Sequence, residues 1–482
     1  MNPLPHTHHD GARVLQGVRR AVVVGLGKTG LSVTRFLLAR GVAVAVTDSR
    51  EQPPGLAALA DLPAARAGSL TLHTGGFDAS LLTAAELLVL SPGVAARGAF
   101  FDEARERGLP MVGDIQLFGE VARAPVAAVT GTNGKSTVTT LLARMAARAG
   151  RAVRVGGNLG EPALELLDER ADLYVLELSS FQLESTPSLP LAAGAVLNVT
   201  PDHLDRHADL AAYVAAKARI FSECGIAVVN LDDPLVAAMP AAAQPRLSFS
   251  LHATAGADYG LAPHGADAAP WLTAHGEPLL ALGELHLSGL HNAANALAAL
   301  ALAEALQLPR APCLAALREF SGLAHRMQWV ADIRGVRYID DSKGTNVGAT
   351  LAAVRGLTDL PLASLHGASL SGGAAARIAS VIVIAGGEGK GQDFSPLRAG
   401  FAGRVRCAVL IGRDARRLGA ALEGVCECHY ATTLPAAVAR AAALASPGDT
   451  VLLSPACASL DMFRDYAERG ELFAQAVLEL AA

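Results

Sequence analysis

From Ala124 the chain reads APVAAVTGTNGKSTVTTLLARMAARAG: an apolar run ending at Val129, a glycine turn, and a Lys-Ser-Thr trio that opens an amphipathic helix. These residue types in this order suit a polyphosphate. Backbone N–H groups in a glycine turn and at a helix N-terminus have no partners of their own and point outward at an anion. Gly131, Thr132, Asn133 and Gly134 make the turn, Lys135 is placed to reach the β- and γ-phosphates, Ser136 offers a hydroxyl to Mg²⁺, and Thr137 carries the chain into the helix. The spacing departs from the usual G-x-x-x-x-G-K-[ST], because Val129 stands where the first glycine belongs and the preceding glycine is Gly131. A surface turn with a solvated lysine is the plain alternative, and the buried strand and helix on either side disfavour it.

Other reactive residue types recur just past apolar runs. Residues 173–176 end in Glu177, where an acid beside the phosphates suits a Mg²⁺-directed carboxylate; otherwise it is a buried glutamate with an internal partner. His203 follows another strand and so lands on the same sheet edge as Lys135 and Glu177, although a single loop histidine is more often solvated. Lys217 sits in a helix over residues 210–221 and by composition belongs on the surface. Asn292 and Asn295 open a long Ala/Leu helix, where their amides either cap it or read an adenine edge. Asp340-Asp341-Ser342-Lys343-Gly344-Thr345-Asn346, Gly386-Gly387-Glu388-Gly389-Lys390 and the run from Ser454 to Asp461 each follow an apolar strand. Near the front, Gly25-Leu26-Gly27-Lys28-Thr29-Gly30 with Asp48 further on has the form of a dinucleotide fingerprint. Its glycines accommodate a pyrophosphate without naming the nucleoside, so a uridine diphosphate and NAD are both open here.

The elements that position these residues alternate. Strands at 22–24, 42–47, 70–73, 87–90 and 110–112 with intervening helices predict a parallel, doubly wound first unit, and the pattern restarts twice. The fold class expected is α/β in three domains: a Rossmann-like N-terminal domain (21–123), a P-loop-type central ATPase domain (124–322) and a Rossmann-like C-terminal domain (323–482), after a disordered tail (1–20). Residues 356–380 look like a long loop or insertion. With 482 residues, 51% hydrophobic and 18% charged, the chain has material for several cores, and its net charge of −5 argues against a nucleic-acid surface. The six cysteines (224, 313, 407, 426, 428 and 457) read as reduced thiols. The N-terminal stretch lacks an apolar signal region and no apolar run is long enough for a membrane span, so a soluble, cytoplasmic protein is expected.

In order along the chain stand GLGKTG, SPG, VGDIQLF, TGTNGKST, LELSSFQLE, NVTPDHLDRH, GLHNAANALAAL, HRMQWV, DDSKGTNVGAT, GGEGKGQDFSPL and SPACASLDMF. Taken together they resemble the Mur ligases, from Ala21 nearly to the end, and the shortened phosphate loop is the form expected of that superfamily. The resemblance implies an ATP-dependent amide ligase that adds D-glutamate to UDP-N-acetylmuramoyl-L-alanine through an acyl phosphate, using ATP and Mg²⁺, as a monomer with no nucleic-acid or membrane partner. Carried over by residue, it implies that Lys28, Thr29, Ser49 and Arg50 flank the uracil and pyrophosphate with Ser91 and Gly93 alongside, and that Asn158 and His203 meet the muramoyl portion. It implies Lys135 and Ser136 on the ATP phosphates and first Mg²⁺ with Glu177, and His203 and Lys217 on a second Mg²⁺, Lys217 as its N-carbamate. Asn295, Arg326 and Asp341 would hold the nucleoside and phosphates; Lys343, Thr345, Lys390, Ser459, Leu460 and Tyr466 would surround D-glutamate. Lys28, where an apolar residue is common, Tyr466, where Phe is familiar, and the long 356–380 segment depart from the pattern.

Two readings compete with ligation. A nicotinamide oxidoreductase built on Gly25 to Asp48 leaves the Lys135 loop and the third domain without a role. A non-catalytic nucleotide-binding module is the other, and phosphate release dependent on both substrates separates it from a ligase.

Overall fold

Runs such as Ala21-Val-Val-Val24 and Leu87-Leu-Val-Leu90 are buried along their whole length, which only a strand covered on both faces achieves, and such strands pair in parallel. The computed structural model describes residues 14–62, 68–203, 206–252, 256–265, 268–286, 289–358 and 380–481. Three sheets follow one another. The first orders β3 (Leu70–Thr74), β2 (Ala43–Asp48), β1 (Arg20–Val24), β4 (Leu87–Leu90) and β5 (Met111–Gly113), all parallel. The second has nine strands: β14 (Glu277–Ala281), β13 (Ala269–Ala274), β12 (Tyr259–His264), β11 (Arg246–Phe249), β10 (Cys224–Asn230), β9 (Leu191–Val196), β6 (Val126–Thr130), β8 (Leu173–Glu177) and β7 (Val153–Gly157), with β13 antiparallel to both β12 and β14. The third orders β15 (Gln328–Ile333), β16 (Val336–Asp340), β20 (Thr450–Leu453), β17 (Val381–Gly386), β18 (Val405–Ile411) and β19 (Glu427–Tyr430), parallel except for β15.

Each sheet has a place where the chain reverses its order of strand addition, and ligands collect outside the carboxyl ends of strands there. The reversal falls between β1 and β4, around β6, and around β20. Gly25, Gly131 and Ser454 stand immediately past those strands. In the central unit the helix Lys135–Arg148 starts from Gly134 in the left-handed conformation and is closed by Gly150, also at positive φ. Its Leu141, Leu142 and Met145 are fully buried, each stabilising by about 2 kcal/mol. Against it lies Leu290–Ala305, whose small alanines let helix, helix and sheet approach closely.

The structure differs from the sequence reading at the edges. β7, β15 and β19 carry no continuous apolar run, because an edge strand is half exposed and needs none. The first helix begins at Lys28, three residues before the expected apolar start, since its N-cap is Gly27. Residues 14–19, assigned to the tail, turn against the first domain: the amides of Val14 and Leu15 donate to the carboxylate of Glu120 at 3.0 and 3.2 Å. Residues 1–13 lie outside the described residues. So does most of the 356–380 segment, whose first residues belong to the helix Val347–Thr358. Among the described residues, no helix is long and apolar enough to cross a membrane.

Candidate active site

The phosphate loop is held rigid by the strand beside it. Asn133 N donates to Asn198 Oδ1 at 2.8 Å and Asn198 Nδ2 returns a bond to Asn133 O at 3.0 Å, so one amide clamps the loop from the end of β9. Thr132 Oγ1 lies 3.2 Å from Tyr213 Oη and accepts from Thr200 N. Lys135 folds its amine onto its own loop, donating to Gly131 O at 2.9 Å and Thr132 O at 3.0 Å. Lys217, the residue composition would place outside, is 1% exposed; its Nζ donates to the same Gly131 O at 2.9 Å and lies over the Tyr213 ring. Two amines thus converge on one carbonyl. Burial lowers the pKa of Lys135, and burial together with the Lys135 charge depresses that of Lys217 well below the usual lysine value.

Glu177 completes this cluster. It ends β8 level with Val129 of β6 and is 3% exposed. Asn158 donates to its Oε1 at 2.6 Å, while Oε2 is buried with no hydrogen-bond partner. A buried carboxylate oxygen without a donor is costly unless a cation meets it, so the residues present fit Mg²⁺ at this point. Glu177 thus has one oxygen paired internally and the other without a donor. His203 is set by its backbone at φ +54°; its ring packs edge-on against Phe181 and Nε2 lies 3.9 Å from Asp202 Oδ2. Asp202 was not singled out by the sequence. Its negative charge faces Lys135 and Lys217 and opposes the lowering of both pKa values.

The third domain closes over this loop. Arg326 Nη2 donates to Ser136 Oγ at 3.0 Å, and Asn346 Nδ2 reaches Asp202 Oδ2 at 3.1 Å and Asn133 Oδ1 at 3.3 Å. His325 and Met327, both at positive φ, flank Arg326 and turn it inward. Between the domains lies a cavity of about 250 Å³ lined by Asn133, Asn292, Asn295, Arg326, Asp341 and the small residues Gly348 and Ala349. Asn295 Nδ2 donates to Asn292 Oδ1, whereas the helix N-cap is Gly289 with no side-chain bond, so these amides face the cavity instead of capping. Asp341 accepts from Ser454 Oγ at 2.8 Å, and burial pushes its pKa up to about 7. A raised carboxyl pKa means stability is full below the unfolded value near 4 and is lost as pH rises through 7. Asp341→Asn should therefore raise stability at pH 8 relative to pH 5 by on the order of 2–4 kcal/mol, checked by urea unfolding at the two pH values.

Lys343 lies with Nζ 3.6 Å from the centroid of the Tyr466 ring, and burial, helped by the Arg326 charge, lowers its pKa to about 8. Ser459 is buried and Leu460 is 64% exposed. The Lys390 loop is stitched to theirs by paired backbone bonds between Glu388 and Ala458 at 3.0 and 2.9 Å. Thr345 closes a tight turn onto Lys343 O. Lys135, Arg326 and Lys343 thus form a group of mutually repelling cations, an arrangement that an arriving polyanion relieves.

The first domain supplies a second cleft, about 700 Å³, lined by Lys28, Thr29, Ser49, Arg50, Ser91 and Gly93 on one side and Asn158 on the other. Ser91 Oγ donates to Gly25 O at 2.8 Å and ties the two loops at the strand reversal. Asp48, the acid of the apparent dinucleotide fingerprint, accepts from Leu26 N, Arg50 N, Arg50 Nε and Arg50 Nη2 at 2.7 to 2.9 Å. Four donors fill both of its oxygens, which leaves no acceptor for a ribose diol. Arg50 above all holds the Asp48 pKa down at about 2, so this bond stabilises above pH 4 and is lost as pH falls toward 2. Asp48→Asn should cost roughly 2 kcal/mol at pH 6 and far less at pH 2.5, measured by denaturant titration.

The loop after β6 is thus joined through one carboxylate and one amide, Glu177 and Asn158, to a separate cleft in the first domain, a layout that suits an enzyme using ATP to act on a second substrate. The comparisons with known proteins agree. Family models match in sequence: a Mur ligase MurD-like N-terminal domain over residues 19–113, a Mur ligase middle domain over 129–303 and a Mur ligase glutamate ligase domain over 325–457. The chain belongs to the Mur ligase family. It is 51% identical over 461 residues to the UDP-N-acetylmuramoylalanine--D-glutamate ligase of Nitrosococcus oceani, covering 95% of this chain and 96% of that one. It is 48% identical over 468 residues to the protein of the same name from Methylobacillus flagellatus, covering 96% and 97%. Among solved structures it resembles MurF from Acinetobacter baumannii (TM-score 0.58, 18% identity, 96% and 94% covered) and the UDP-N-acetylmuramate-alanine ligase of Thermotoga maritima (TM-score 0.56, 18% identity, 96% and 99% covered), a likeness of fold.

Proposed function

We infer that this chain is an ATP-dependent ligase that joins D-glutamate to UDP-N-acetylmuramoyl-L-alanine, releasing ADP and phosphate, in peptidoglycan precursor synthesis. The observation that carries this reading is the Asn158–Glu177 bond, which puts one wall of the 700 Å³ cleft against the carboxylate beside the phosphate loop. A substrate bound along that cleft can present its far end to the γ-phosphate. On this reading residues 21–123 bind the uridine nucleotide through Lys28, Thr29, Ser49, Arg50, Ser91 and Gly93. Residues 124–322 bind ATP, and 323–482 bind the amino acid through Lys343, Thr345, Lys390, Ser459, Leu460 and Tyr466, whose cation and hydroxyls suit two carboxylates. Asn295, Arg326 and Asp341 hold the nucleoside and phosphates of ATP. The enzyme acts as a cytoplasmic monomer without nucleic acid or membrane.

An amine does not displace oxide from a carboxylate. The L-alanyl carboxylate therefore first attacks the γ-phosphorus, the bond to the ADP oxygen breaks, and an acyl phosphate forms. The amine of D-glutamate then adds to the acyl carbon, loses a proton, and the tetrahedral intermediate expels phosphate. Both steps gather negative charge on phosphoryl and carbonyl oxygens, which Lys135 and the loop N–H groups from Gly131 to Thr137 stabilise. Ser136, Glu177, His203 and Lys217 as its carbamate would hold Mg²⁺, which when bound supplies further charge neutralisation at those oxygens. Arg326 and Asn346, by bonding across to Ser136, Asn133 and Asp202, keep the third domain closed and water away from the acyl phosphate. The test is phosphate release by the purified protein with ATP and Mg²⁺: it is expected only when UDP-N-acetylmuramoyl-L-alanine and D-glutamate are both present, and not with L-glutamate. Release with neither substrate, or equal release with both enantiomers, refutes it.

A further inference from the structure

The largest fully buried side chain among the described residues is Arg469, at 0% exposure. It stands in the first turn of the helix Tyr466–Glu479, where the helix dipole disfavours a cation. Among the described residues no carboxylate accepts a hydrogen bond from its guanidinium, although the charges of Asp461, Asp340 and Asp341 act on it from further off. Nε donates to Ser342 Oγ at 3.0 Å, Nη2 to Ser342 O at 2.7 Å and Nη1 to Cys457 O at 3.2 Å, all neutral oxygens. Burial accordingly lowers its pKa to about 10. A side chain so costly to bury is retained for what it joins, and it joins three segments. Ser342 belongs to the loop that carries Asp341, Lys343 and Thr345; Cys457 belongs to the loop that carries Ser459 and Leu460; the helix itself begins with Tyr466. Ser342 Oγ, while accepting from Arg469, donates to Tyr466 O at 2.7 Å and closes the triangle. Above that triangle Lys343 Nζ rests on the Tyr466 ring. Only a planar fork with donors in several directions can hold a hydroxyl and two carbonyls from separate segments at once.

We propose that Arg469 is a positioning residue for the incoming amino acid, fixing the Ser342, Cys457 and Tyr466 segments in the register that lets Lys343, Ser459 and Tyr466 meet one ligand together. This rests on the reading of the third domain as the amino-acid site. Lysine keeps the charge and loses the fork, so Arg469→Lys should raise KM for D-glutamate by about 30-fold, the loss of one or two charge-assisted hydrogen bonds. KM for UDP-N-acetylmuramoyl-L-alanine should stay within about twofold, since none of the residues lining the first-domain cleft belongs to the triangle. Hydroxylamine supplies a second readout, because it captures the acyl phosphate as a hydroxamate, releasing phosphate, without needing an amino-acid site. Arg469→Lys should form hydroxamate at the wild-type rate, and guanidinium ion added to Arg469→Ala should lower the raised KM for D-glutamate.

Equal losses in the hydroxylamine and D-glutamate reactions, or an unchanged KM for D-glutamate, would overturn the proposal while leaving the ligase reading in place. Failure of the wild-type protein to give any hydroxamate would instead remove the ligase reading. Loss of the folded state in both the lysine and alanine variants, seen by circular dichroism, would assign Arg469 to stability alone and overturn the proposal too.

Discussion

Lys135→Ala is expected to lower ligase turnover by at least about 10²–10³-fold, the usual consequence of removing one preorganised donor from developing oxyanion charge. The amine is poised for that role. It bonds Gly131 O and Thr132 O, two carbonyls of its own loop, and can exchange them for phosphate oxygens without moving the backbone. Burial lowers its pKa, and the charges of Glu177 and Asp202 offset part of that lowering. Lys135→Arg should also fail, because a guanidinium fork does not fit a pocket shaped around a single ammonium. Stability should change by only about 1 kcal/mol or less, since the cation removed is also one that Arg326 repels. Single-turnover phosphate release and thermal melts measure the two effects separately, and a variant retaining a tenth of wild-type turnover would show the loop assignment to be wrong.

Lys217→Ala is expected to lose turnover on the order of 10³-fold and to recover part of it when formate or acetate is added. The reasoning begins from burial. A lysine 1% exposed and beside a second lysine favours the neutral amine, and a neutral amine is the form that adds carbon dioxide. A carbamate so formed would convert a hydrogen-bond donor into an anionic oxygen ligand of the kind Mg²⁺ takes. A small carboxylate can occupy the space the truncated side chain leaves and offer the same oxygens; Lys217→Arg leaves no such space and should show no rescue. The depressed pKa has a sign for stability as well: the unfolded chain binds the proton that the folded chain sheds, so stability rises with pH below the usual lysine value, and Lys217→Met should flatten that slope. Full activity in Lys217→Ala without added acid would remove the residue from the site.

Much of this architecture is visible in the chain because its central strands are buried on both faces. β1, β4, β8, β17 and β20 read as uninterrupted apolar runs, and the glycines and polar residues after them mark the strand ends where ligands collect. Edge strands such as β7 and β15 are not visible, since half of their residues face solvent and alternate like a loop. Lys217 illustrates a second limit. Its helix is mostly alanine, and nothing in that composition says which face docks beneath the phosphate loop. Asp202, Asn198, Asn346 and Arg469 illustrate a third, because polar residues in long motifs look alike until their partners are known.

The sequence by itself determined the three α/β units, the phosphate loop with Lys135 at its centre, and the placing of Glu177 and the glycine turns at strand ends. These follow from burial patterns and local backbone requirements, which act over a few residues. Only the tertiary structure decided that Lys135 and Lys217 share the Gly131 carbonyl, that Asp48 is filled by Arg50 and Leu26, and that Arg326, Asn346 and Arg469 join segments distant in the chain. Those contacts depend on how sheets and loops pack together, and a hydrogen bond between residues more than a hundred positions apart leaves no periodic trace in either stretch.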